Sequence, residues 1–169
     1  MKTIDWIEDE HLKGELCEEY YERLCDAKSK KQVMDIVMDI NGLEYLCLSR
    51  ERGNPLPYEV IEKEFRSYIN GKYIPKFNFS KMTEYDSSVY LSLGKDCEVN
   101  VGTTLALFLN CSCDIYVKDY HVARIFLDGN CDVRLHCPKG ASVIVEAFGD
   151  AKVEYEGYAH IRIRRRRTK

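Results

Sequence analysis

The chain has 169 residues and carries 25 Lys and Arg against 28 Asp and Glu, a formal net charge of −3. This length suits one domain or two small ones and is enough to bury a hydrophobic core. The charge balance excludes an overall basic footprint for nucleic acid. No apolar run reaches the roughly 18 residues of a membrane span, and the N-terminus lacks the apolar segment of a secretory signal. We therefore expect a cytoplasmic protein without membrane contact.

Helical periodicity dominates the first part of the chain. We expect four helices, over residues 4–26, 29–40, 41–53 and 58–69. Ser29 and Gln32 form a capping box at the start of the second helix. Asn41 is the expected N-cap of the third, and Asn41-Gly42 is the expected break between the two. We assign residues 1–72 to a helical N-terminal subdomain and residues 73–88 to a transition segment.

A repeat of short alternating strands occupies residues 89–163. Each copy has three alternating apolar residues, a three-residue corner rich in Gly, Asp and Asn, and three more alternating apolar residues. Copies begin at residues 89, 105, 123 and 143, so the repeat lengths are 16, 18 and 20 residues, and a half copy follows from residue 159. The expected inward positions of the first strand are Val89, Leu91 and Leu93 in the first copy, Leu105, Leu107 and Leu109 in the second, and Ala123, Ile125 and Leu127 in the third.

Two architectures fit this repeat. In a β-solenoid each repeat is one coil and equivalent residues stack, so small side chains would form an internal ladder of Cys97, Cys113, Cys131 and Ala151. In an antiparallel meander each repeat would be a hairpin. Because the same residue type recurs at the same corner, we favour an α+β fold. In it, the helical subdomain caps the first coil of a short β-solenoid of four to five repeats, with the meander as the alternative.

Eight cysteines are many for a cytoplasmic chain. Disulfides need an oxidising compartment, and zinc sites need close pairs at recognisable spacing; neither condition is met. We expect buried thiols that behave as small apolar side chains. By parity, Cys97, Cys113, Cys131 and Cys137 point inward, while Cys17, Cys25 and Cys47 lie on the apolar faces of helices. No metal and no cofactor is expected.

Two segments carry a resemblance to known proteins. Residues 39–47, DINGLEYLC, and residues 55–71, PLPYEVIEKEFRSYING, precede the Cys-rich β repeats. Together they resemble small uncharacterised proteins of gut Bacteroidetes and of their phages or integrated elements. The resemblance implies a mobile-element origin, and with it association with a virion as an alternative location. It implies no known activity and assigns no catalytic residue.

Motifs for nucleotide binding and for zinc-dependent hydrolysis are absent from the sequence. A nucleophile pair of Cys137 with His121 or His136 is conceivable, but no orienting group accompanies it. We therefore expect no enzyme and no small-molecule substrate. The expected function is a structural or protein-interaction module. Its partner contact would use the variable connections around His121 and residues 138–140, and self-association would use the uncapped end of the solenoid or a flat sheet face.

The C-terminal tail, residues 164–169, is strongly basic. With the end of the last strand it places six cations in the final eight positions: Arg162, Arg164, Arg165, Arg166, Arg167 and Lys169. Such a run binds polyanions, with an affinity that falls as salt rises. It also protects the open edge of a sheet from further pairing. The alternative function is therefore a nucleic-acid-associated accessory protein that binds through this tail. The sequence leaves the oligomeric state open.

Overall fold

A computed structural model describes residues 18–51, 62–63, 65–67, 69–73, 89–94, 97–101, 105–157 and 160–165. The helices in these ranges are α1 (Glu18–Cys25), α2 (Lys30–Val37) and α3 (Ile40–Glu51). The strands of the first coils are β1 (Gly71–Tyr73), β2 (Val89–Leu93), β3 (Cys97–Val101), β4 (Leu105–Leu109) and β5 (Ser112–Val117). The later strands are β6 (Val122–Asp128), β7 (Asp132–Cys137), β8 (Ser142–Ala147), β9 (Lys152–Gly157) and β10 (His160–Arg165).

The strands wind into a β-solenoid, which confirms the α+β prediction. One sheet has the order β1-β2-β4-β6-β8-β10 and the other has the order β3-β5-β7-β9. All neighbours from β2 onward pair in parallel, so each coil contributes one strand to each sheet. Parallel pairing excludes the meander, because consecutive strands of a meander run antiparallel. Only β1 pairs antiparallel within the described strands, against β2.

The face assignment of β4 differs from the prediction. Ala106 pairs with Ile125 and Phe108 pairs with Leu127, so Ala106 and Phe108 point into the solenoid. Leu105, Leu107 and Leu109 point out of it and join the core formed with the helices. The prediction for the first copy was wrong in the same way, because Val89 and Leu91 of β2 pair with Leu105 and Leu107 and also join that core. All five residues of β4 are buried. Because apolar residues occupy both faces of this strand, alternation alone does not reveal which face is inward.

The helices cover the outer face of the six-stranded sheet. Their buried residues form one core with the outward side chains of β2, β4 and β6 and with Phe148, and α3 contacts β6. We expected the helical subdomain at the end of the first coil. In the described part of the chain it lies along the flank, because the outward leucines of β4 and Phe126 need cover from water.

The junction between α2 and α3 departs from the prediction. Helix α2 ends at Val37, and Gly42 lies inside α3 rather than between the two helices. The N-cap is Asp39, whose Oδ1 accepts the Gly42 N–H at 2.8 Å, so the assignment of Asn41 as cap was wrong. A Cβ at residue 42 would lie 2.7 Å from the Val37 carbonyl carbon. Glycine is therefore required by the close approach of the two helices. The Ser29 cap of α2 is confirmed.

The cysteine ladder contains different residues from those predicted. Cys97 pairs with Cys113, but Cys113 pairs with Val133 in the next coil. Cys131 instead stacks on Cys111 of the preceding coil, because the N–H of the next residue, Asp132, donates to the Cys111 carbonyl at 3.0 Å. In the next coil the Lys152 N–H donates to the Cys131 carbonyl at 2.7 Å, which places Ala151 on Cys131. The ladder is Cys111, Cys131 and Ala151, all at most 1 % exposed. We predicted a constant three-residue corner, whereas the corners after β4, β6 and β8 are residues 110–111, 129–131 and 148–151, so the alignment of the coils was shifted.

Three of the thiols predicted to point inward lie as expected inside the solenoid: Cys113, Cys131 and Cys137. Cys47 is buried in the helical core, also as predicted, whereas Cys25 is exposed at the end of α1. The predictions for Cys17 and for the side chain of Cys97 fall outside the described part of the chain. So do half of the residues of the fourth predicted helix and residues 74–88 of the transition segment.

Candidate interaction surfaces

The basic residues near the C-terminus do not share one surface. Strand β10 continues to Arg165, two residues beyond the predicted boundary. Arg162 and Arg164 pair with Ile144 and Glu146, so both point to the outer face of the six-stranded sheet. Arg165 points the other way, and its Nη1 donates to the Ala151 carbonyl at 2.7 Å. Arg166, Arg167 and Lys169 lie outside the described residues.

Beside these arginines, the outer face holds a buried ion pair. Arg124 of β6 donates through Nε, at 2.7 Å, and through Nη2 to Oε1 of Glu146 on β8. The side chain of Glu146 is fully buried. A third partner is Glu44 of α3, whose Oε2 lies 3.6 Å from Arg124. Arg124 is thus neutralised and links the sheet to the helix, while Arg162 and Arg164 form no ion pair within the described ranges.

The turn edge of the solenoid consists of two stacked turns, residues 118–121 and 138–141. In each turn the fourth residue donates its N–H to the carbonyl of the first, at 3.2 Å in both cases: His121 to Lys118 and Ala141 to Pro138. The turns are joined by the Ser142 N–H, which bonds the His121 carbonyl at 2.9 Å. The backbone of the turn edge is therefore fixed by the stacking of the coils.

Tyr120 is the most exposed apolar side chain of this turn edge. It is 76 % exposed, and its φ is 55°, in the left-handed region that bulky residues rarely adopt. The equivalent third position of the next turn is Gly140, with φ 86°. A Cβ on Gly140 would lie 2.6 Å from Cδ1 of Tyr120. The Tyr120 ring therefore rests on Gly140 and presents its remaining surface to solvent.

The four-stranded sheet presents a predominantly acidic outer face. Its described side chains are Ser112, Asp114 and Tyr116 on β5, Asp132, Arg134 and His136 on β7, and Lys152, Glu154 and Glu156 on β9. His136 is central, with Nε2 2.7 Å from Oδ1 of Asp114 and Nδ1 bonded to Oε1 of Glu156. Its ring stacks on Tyr116 with centroids 4.2 Å apart. Through these contacts His136 links the side chains of three neighbouring coils.

The environment of His136 favours its charged form. The hydrogen bond to Asp114, reinforced by Glu156, raises the pKa of the imidazole above its ordinary value, against a smaller effect of desolvation. Both ring nitrogens are engaged by carboxylates, so neither is available to activate a nucleophile. Cys137 points into the solenoid, on the opposite face of β7, and burial raises the pKa of its thiol. The structure therefore separates the Cys137–His136 pair that the sequence suggested.

The described residues contain no group of three or more His, Cys, Asp or Glu side chains placed to hold a metal ion. None of the described helices is long and apolar enough to cross a membrane. No protein-family model matches the chain, and neither a curated protein nor a solved structure matches it. Within the described ranges, our candidates for function are two surfaces, the turn edge with its neighbour β10 and the acidic face.

Proposed function

We propose that this protein is a non-enzymatic interaction module whose contact surface is the turn edge centred on Tyr120. The observation that carries the proposal is the backbone of Tyr120. A left-handed conformation costs a residue with a Cβ roughly 1–2 kcal/mol, and glycine, present at the equivalent position of the next turn, would avoid this cost. Strain of this kind concentrates at functional sites.

The side chain itself suits a contact. Tyrosine offers a large, rigid surface at low conformational-entropy cost, and it is enriched among the residues that dominate interface energies. Val122, the second residue after Tyr120, is 50 % exposed and extends the apolar area along β6. The pairing of β6 with β8 fixes the backbone at Val122, and the hydrogen bonds of the stacked turns fix the backbone on both sides of Tyr120. A rigid scaffold with an exposed aromatic at its turns is a common arrangement for binding.

Origin and location belong to the same proposal. The resemblance of residues 39–47 and 55–71 to proteins of gut Bacteroidetes and their mobile elements supports a phage or integrated-element origin. A cytoplasmic or virion-associated place of action would follow from that origin. Binding of nucleic acid by the C-terminal cations, the alternative interpretation of the sequence, is favoured by the position of Arg162 and Arg164 on one face and is developed below.

Site-specific photo-crosslinking tests the proposal. A benzophenone amino acid is placed at residue 120 and, as the matched control, at residue 155, where a second tyrosine is 57 % exposed on the last coil. We expect a discrete crosslinked product from residue 120 in the cells that produce the protein, and none from residue 155. Crosslinks from residue 155 alone, or from neither, would show that the turn edge is not the contact surface.

A further inference from the structure

We infer that the turn edge and β10 together bind single-stranded nucleic acid. This inference rests on the proposed function and names its partner. The first observation is the segregation of charge. The acidic face carries Asp114, Asp132, Glu154 and Glu156 against Arg134, Lys152 and His136, whose charged form its neighbours favour. The turn edge and β10 carry Lys118, Lys139, Arg162 and Arg164 against Asp119.

The second observation is that these cations are available. Lys118, Lys139 and Arg162 are exposed and Arg164 is half-buried. Among the described residues, none of the four forms an ion pair. Arg124, their neighbour on the same sheet, is already neutralised by Glu146 and Glu44. On the turn edge and on the outer face of β10, the described cations without an ion-pair partner are therefore these four side chains.

The third observation is the geometry of the strands. Val122, Ser142 and His160 are aligned at the start of β6, β8 and β10, directly after the turn edge. Arg162 and Arg164 follow on the same face of β10, about 6.6 Å apart at the rise of a parallel strand. A chain of phosphates that crosses the starts of these strands would meet Lys139 and then Arg162 and Arg164, with Tyr120 beside its path.

Tyr120 supplies what a purely cationic patch lacks. Proteins that bind single strands combine a positively charged track with aromatic rings on which bases stack. One side of the Tyr120 ring rests on Gly140, so the other side is open for a base. A duplex hides its base faces within the stack, whereas an unpaired base can swing out onto the ring. The combination therefore favours a single strand over a duplex.

The test is fluorescence anisotropy with the full-length protein and a labelled oligothymidylate of about twelve nucleotides, within the footprint range of small single-strand binders. Wild-type affinity is expected to fall as salt rises. The double variant Arg162→Gln, Arg164→Gln is expected to bind more weakly and to flatten the salt dependence by about 0.7 in slope for each phosphate that is no longer neutralised. The control Arg134→Gln, on the acidic face, is expected to bind no more weakly than wild type.

Tyr120 variants separate base stacking from charge. Tyr120→Gly is expected to lower affinity about 5- to 150-fold with an unchanged salt slope, and Tyr120→Phe to retain wild-type affinity. Inorganic polyphosphate is the second probe because it carries the charge without bases. Its affinity is expected to respond to the arginine variants and not to Tyr120→Gly.

The inference would be overturned by any of three results. These are no salt-dependent binding of the oligonucleotide, equal affinity of Tyr120→Gly and wild type, or binding that Arg134→Gln weakens as much as the double arginine variant does. An acidic protein crosslinked at residue 120, together with no oligonucleotide binding, would overturn this inference while leaving the proposed function standing. Absence of any crosslink from residue 120 would remove the proposed function.

Discussion

Tyr120 and Gly140 occupy the same position of two stacked turns, and the ring of the first lies on the backbone of the second. Both residues have a positive φ angle. Glycine adopts this conformation without strain because it has no Cβ, whereas tyrosine is strained by it. The pair therefore makes the binding proposal testable through stability as well as through affinity.

Replacing Tyr120 by glycine should not destabilise the fold. Release of left-handed strain opposes the extra backbone entropy of glycine in the unfolded chain and the missing packing of the ring. Tyr120→Gly is expected to leave the free energy of unfolding unchanged or to raise it by up to about 1 kcal/mol. Denaturant unfolding measures this, with Tyr116→Gly, which removes a stacked ring from the interior of β5, as a destabilised control. A decrease of about 1 kcal/mol or more in Tyr120→Gly would contradict the strain argument.

The buried carboxylate of Glu146 should matter greatly for stability. Removing it leaves the Arg124 guanidinium partly buried without its closest partner, and breaking a buried pair in this way costs about 3 kcal/mol or more. Glu146→Ala is therefore expected to lower the free energy of unfolding by about that amount. In the exposed pair of Arg134 and Glu154, with side chains 58 % and 71 % exposed, Glu154→Ala should change little. Equal effects of the two variants would show that Glu146 is not a structural link.

The stability that His136 contributes should depend on pH. Its folded pKa is raised above the ordinary value of 6.5. A raised pKa means that the folded state holds the proton more tightly, so the contribution is full below about pH 6.5 and is lost as pH rises through the folded pKa. The wild type should exceed His136→Gln in unfolding free energy by more at about pH 6 than at about pH 9. His160→Gln, at an exposed position of β10, is the control. A difference that grows with pH would contradict this assignment.

The thiol of Cys131 should not react with alkylating reagents in the native protein. Burial raises the pKa of its thiol to about 11, and its Sγ lies 3.1 Å from the Asp128 carbonyl and 3.3 Å from that of Phe108. Because only the thiolate reacts appreciably, alkylation at about pH 8 is expected to modify the exposed Cys25 and to spare Cys131 until the protein unfolds. Peptide mapping by mass spectrometry measures both sites. Rapid native labelling of Cys131 would mean that the coil interior opens readily.

Periodicity was sufficient to predict the solenoid, because alternation of apolar residues is a local property of the chain, but it did not predict corners that vary from two to four residues. It failed at β4, where Ala106 and Phe108 are as apolar as their neighbours and the inward face depends on contact with helices distant in sequence. Aligning the repeats by their corners also paired Cys113 with Cys131, two residues away from its true partner. A shift of two residues leaves every side chain on the same face of its strand, so the alternation pattern could not reveal it.

For the functional surfaces too, the sequence predicted which segments are involved but not the details that depend on contacts distant in sequence. The connections around His121 and residues 138–140 stood out as the variable edge of the repeat. Aligning the turns as KDYH and PKGA would have set Tyr120 against Gly140, but only the backbone angle of Tyr120 reveals the strain. The arginines of β10 were visible as a basic run, whereas the inward turn of Arg165 depends on the register of β10 with β8.

The most direct test of binding through the turn edge is light scattering coupled to size exclusion, with absorbance at two wavelengths to identify nucleic acid. Wild type and Tyr120→Gly are compared at low and high salt after purification from the producing cells. We predict that at low salt the wild type carries bound material. It would be seen as a mass above the whole-number multiple of 19.7 kDa that the same protein shows at high salt. Tyr120→Gly should lack this material while keeping the same oligomeric state. Equal bound mass in the two proteins would contradict binding through Tyr120.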